Sequence, residues 1–136
     1  MARLSVLRTA IVASAIGLSI PFPAQAQPKP EQVLREVVQG MPTGERQEVQ
    51  VLTATIEPGQ STPFHTHRYP VTVYVQEGVF TLEMEGRNAV TVSAGRSMVE
   101  PPNVRMTGYN RGTAPMRVVI FYVAEPGTPF LDIAHR

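Results

Sequence analysis

From Glu48 onward the chain breaks into about eight short β-type runs at near-regular spacing, and this rhythm limits its possible folds more than any other feature. The runs are Glu48–Glu57, Pro63–His67, Val71–Gln76, Val79–Glu85, Ala89–Ser93, Ser97–Glu100, Val104–Tyr109 and Met116–Val123. Turn-formers separate them: Pro58-Gly59, Glu77-Gly78, Gly86-Arg87-Asn88, Ala94-Gly95, Pro101-Pro102-Asn103 and Arg111-Gly112. Strands this short can bury their apolar faces only against one another, so a sandwich or barrel is expected. Val71, Val73 and Val75 recur with period two and should line its interior. Glu83 and Glu85 alternate with Leu82 and Met84 and should form a solvated face.

Before the strands, residues 1–26 have the pattern of an export leader. Arg3 and Arg8 precede an apolar run, Thr9 to Ile20, and Ala24-Gln25-Ala26 is a small-residue cleavage site. The run is too short to span a bilayer, so the mature chain is expected to begin at Gln27 and to be periplasmic or extracellular, with no membrane contact after cleavage. A lead-in with one short helix, Glu31 to Gln39, is predicted for residues 27–47, ended by Gly40 and Pro42. The barrel is expected over 48–125 and an irregular tail over 126–136, with Phe130 and Leu131 packed across one end. Of the 12 basic residues, loss of Arg3 and Arg8 leaves 10 against 11 acidic ones, so no electrostatic case for nucleic acid remains. The chain has no cysteine, which removes both disulfides and thiolate ligands.

His65 and His67 are the residues that suggest chemistry. Two residues apart on a strand, their imidazoles project from one face and can share a metal ion if that face is interior. They sit in the stretch from Gly59 to Gly78, and a second stretch runs from Gly95 through Pro101 to Asn110. Together the two stretches resemble the paired motifs of the cupins, over roughly Glu48 to Val123. The resemblance implies an all-β jelly-roll barrel and a metal site of two histidines and a glutamate from the first motif and one histidine from the second. Laid on this sequence, the glutamate position is Val71 and the second-motif histidine position is Met106. Asn103 replaces a glycine of the second motif, a change tolerated because Asn adopts left-handed turns readily.

Two imidazoles and the Met106 thioether form a neutral, soft donor set, which favours copper over iron, manganese or zinc. Metal binding through His65, His67 and Met106 is therefore expected. Two alternatives stand beside it: a metal-dependent enzyme of dioxygenase, isomerase or lyase type, and a metal-free pocket for a small ligand. Arg68, Tyr69, Arg105 and Tyr109 are the candidates to contact an organic ligand, while Tyr74 is a further polar handle and His135 is expected to be exposed. The resemblance also implies a homodimer. No nucleophile–base pair or phosphate loop can be assembled from the spacing.

Overall fold

A computed structural model describes residues 27–135, and the leader expected over residues 1–26 lies outside them. Nine strands follow in chain order: β1 Glu48–Ile56, β2 His65–Thr66, β3 Val71–Glu77, β4 Val79–Met84, β5 Val90–Ser93, β6 Ser97–Glu100, β7 Met106–Tyr109, β8 Met116–Ala124 and β9 Asp132–Ile133. They build a four-stranded sheet in the order β1-β8-β3-β6 and a five-stranded sheet in the order β5-β4-β7-β2-β9. Every pairing is antiparallel. Successive strands mostly switch sheets, which is the jelly-roll pattern: hydrogen-bonded neighbours are distant in sequence.

One core fills the space between the sheets. Val71, Val73, Val75, Val118 and Tyr122 face inward from the first sheet and Phe80, Leu82, Val92 and Met106 from the second. Val71, Val73 and Val75 are 0%, 2% and 0% exposed, as their period of two requires. Each such side chain stabilises the fold by roughly 2 kcal/mol on burial.

The helix expected over Glu31 to Gln39 does not form, and no helix occurs among the described residues. A segment this short is a marginal helix in water, and only packing of an apolar stripe would hold it. That packing is missing, since Val33 and Val37 are 40% and 96% exposed. Leu34 and Val38, both half-buried, instead line a groove with Val99, Phe121 and Val123 of the sheet.

Two turns explain how the strands are joined. Gly78 links β3 to β4 at φ 79°, and a Cβ there would also approach Met116 at 3.1 Å. Asn103 takes the left-handed conformation at φ 59°, as its place in the second motif suggested. The buried Asn110 fastens the opposite end of the barrel. Its Nδ2 donates to the carbonyls of Ile56 at 2.7 Å and Ala114 at 2.9 Å, and its Oδ1 accepts from the Gly112 N–H at 3.0 Å. Each of its polar atoms thus has a partner, which makes full burial tolerable.

Candidate metal centre

β2 is held between β7 and β9, with His65 opposite Met106 on one side and Ile133 on the other. This places His65 inward, and His67 emerges on the same face just past the strand. Both are buried, at 4% and 1% exposure. Their Nε2 atoms lie 3.0 Å apart. That is the spacing of two nitrogens each about 2.1 Å from one ion and at roughly a right angle to one another.

Main-chain carbonyls fix which nitrogen of each ring carries hydrogen. His65 Nδ1 lies 2.7 Å from the Pro63 oxygen, and His67 Nδ1 lies 2.6 Å from the Phe130 oxygen. A carbonyl can only accept, so both Nδ1 atoms donate, and in the neutral rings both Nε2 atoms are bare lone pairs. Two bare lone pairs at 3.0 Å repel unless a positive species sits between them. One proton can serve in the metal-free protein; a metal ion satisfies both rings at once.

A third donor completes the group, and the sequence motifs gave no sign of it. Glu100 Oε2 is 3.1 Å from His67 Nε2, its side chain 6% exposed. Its ligand atom and those of His65 and His67 all fall within 4.8 Å of one another. The route is simple: Glu100 on β6 is the direct rung partner of Val71 on β3. Rung partners project to the same face about 5 Å apart. The carboxylate therefore reaches the site from the neighbouring strand, opposite the first-motif position held by Val71. Glu100 was legible as a strand residue, but the β3–β6 register that aims it comes only from the fold.

The other expected site residues are placed as follows. Met106 is fully buried in the core directly opposite His65. Arg68 holds Asp132 through two bonds of 2.8 and 3.0 Å. Tyr69 has its ring 6.4 Å from that of the buried Tyr122, which in turn is 6.2 Å from His67. Burial raises the Tyr122 hydroxyl above its ordinary pKa, so it stays protonated at neutral pH. Arg105 is exposed and paired with Glu85 at 3.2 Å, while Tyr109 lies under the Arg111 guanidinium at 4.6 Å. Tyr74 is half-buried on β3 and His135 is exposed. The copper expectation assumed a donor set without a carboxylate, and Glu100 removes that premise.

Burial lowers the His65 pKa from 6.5, outweighing the opposing pull of the Pro63 carbonyl; His67 lowers it further and Glu100 raises it. The folded protein therefore binds this proton less readily than the unfolded chain does. Below pH 6.5 the unfolded chain takes up the proton first, so the neutral ring's contribution to stability is lost as pH falls toward the lower folded value. The urea midpoint of metal-free protein is expected to drop between about pH 7.5 and 5.5, and to drop less in His65→Gln. A midpoint that stays level in both would contradict it.

The sequence matches the cupin domain over residues 52–122. Among solved structures, an RmlC-like cupin family protein from Methanocaldococcus jannaschii is 22% identical with a TM-score of 0.54, covering 57% of this chain and 72% of that one. An uncharacterized conserved protein with a double-stranded β-helix domain from Klebsiella pneumoniae is 21% identical with a TM-score of 0.56, covering 74% of this chain and 90% of that one. A structure of DMSP lyases is 15% identical with a TM-score of 0.55; the match covers 64% of this chain but 44% of that one. At these identities the likeness is one of fold. No curated protein sequence matches the chain.

Proposed function

This chain belongs to the cupin domain family, and from that premise we propose that it binds one divalent first-row metal ion through His65 Nε2, His67 Nε2 and Glu100. The observation that carries the proposal is the pair of bare Nε2 atoms 3.0 Å apart beside a buried carboxylate. Two imidazoles and one carboxylate are a donor set that suits iron(II), manganese, zinc or cobalt, and copper(II) competes by its general affinity. When bound, the ion supplies Lewis acidity or a redox couple with coordination positions left open. The chain's own part is to keep the rings oriented, through the Pro63 and Phe130 carbonyls, and to keep bulk water away.

The expected result is one ion per chain by elemental analysis of untagged protein, with occupancy lost in His65→Ala and in His67→Ala. Met106→Leu separates the metals. A site of two nitrogens and one oxygen keeps its affinity in that variant, whereas a copper site that recruits the thioether loses about tenfold or more. Protein that takes up none of these metals would leave a metal-free pocket as the better account. Export and a homodimer belong to the same proposal. The leader pattern of residues 1–26 supports the first. Val49, Val51 and Phe121, adjoining residues on the outer sheet face and 68%, 60% and 44% exposed, support the second.

A further inference from the structure

Beside the two histidines and Glu100 lies an interior chamber of about 100 Å³. Its walls are almost wholly apolar, among them Ile56, Val73, Phe80 and Ile120, and Phe130 and Leu131 line it on the side of the C-terminal tail. Apart from the three donors, Thr62 is the one polar side chain that borders it. Phe130 and Leu131 lead into β9, a strap along the edge of β2. β9 pairs with β2 at His65 and Thr66, Ala134 N–H donates to the Phe64 carbonyl at 2.9 Å, and Asp132 is gripped by Arg68. The strap thus sits on the strand that carries the histidines.

We propose that this chamber admits only small molecules, and that Phe130 and Leu131 set the size limit for whatever reaches the metal centre. Scale decides the limit: a dry protein cavity of about 150 Å³ holds benzene, so this chamber has room for about four non-hydrogen atoms. The walls away from the three donors offer an ionic group no partner, so any charge on an entering molecule must lie at the metal. Larger substrates would have to displace the strap. The substrate class rests on the metal-centre proposal, but the size limit does not, because it follows from the walls alone.

The test uses crystals of the purified full chain, first under xenon and then soaked in benzene, with a parallel NMR titration of benzene in solution. Wild type is expected to hold xenon next to His65 and His67 and to exclude benzene. Phe130→Ala, which trims the wall, is expected to bind benzene about tenfold tighter or better than wild type, and Leu131→Ala serves if the first variant does not fold. A chamber that takes no xenon, or a wild type that binds benzene as tightly as the trimmed variants, overturns the proposal. Neither result depends on metal content, so failure here is distinct from failure of the metal centre.

Discussion

Glu100→Gln is expected to weaken divalent metal binding by about a thousandfold, or ~4 kcal/mol, while the barrel stays folded. Gln has nearly the same shape but carries no charge, and in a dry interior the carboxylate's charge is what offsets that of the ion. Wild type and variant titrated with zinc or cobalt by calorimetry measure the loss directly. The unfolding midpoint of the metal-free forms checks that the fold survives. It should be unchanged or slightly raised, because a buried carboxyl group has been exchanged for a neutral amide of nearly the same shape. Equal affinity in the two proteins would exclude Glu100 as a ligand.

Moving the carboxylate across one rung should undo most of that loss. In a Glu100→Val background, Val71→Glu is expected to return affinity to within about tenfold of wild type, because rung partners have Cβ atoms about 5 Å apart on the same face. Val71 and Glu100 are such partners, and both side chains are buried. The single Glu100→Val variant sets the baseline, with the full loss expected. Affinity no better than that baseline would mean that β3 cannot aim a carboxylate at the rings, and that the two strands are not interchangeable as donors.

The sequence was informative wherever local pattern decides structure. Val71, Val73 and Val75 alternate with Thr72 and Tyr74 and are buried as that alternation requires, and His65 and His67 share a face because strand geometry leaves no choice. It was misleading where burial decides: in Glu31–Gln39 only Leu34 and Val38 are half-buried, while Val33 and Val37 stay exposed, so no apolar stripe is covered that would hold a helix. It was silent where register between distant strands decides. Glu100 and Val71 lie on strands that are not consecutive, and nothing local says that they face each other. β9 was hidden for the same reason: Asp132–Ile133 is a strand only because β2 offers it an edge.

Both histidines are oriented by peptide oxygens, those of Pro63 and Phe130. Every amino acid carries that oxygen, so replacing the side chains at 63 or 130 leaves the acceptor in existence. Only a rerouted main chain can take it away. The orientation of the two rings is thus buffered against side-chain changes at 63 and 130 and exposed to insertions and deletions in the tail, and lineages of this protein should conserve the spacing from position 130 to β9.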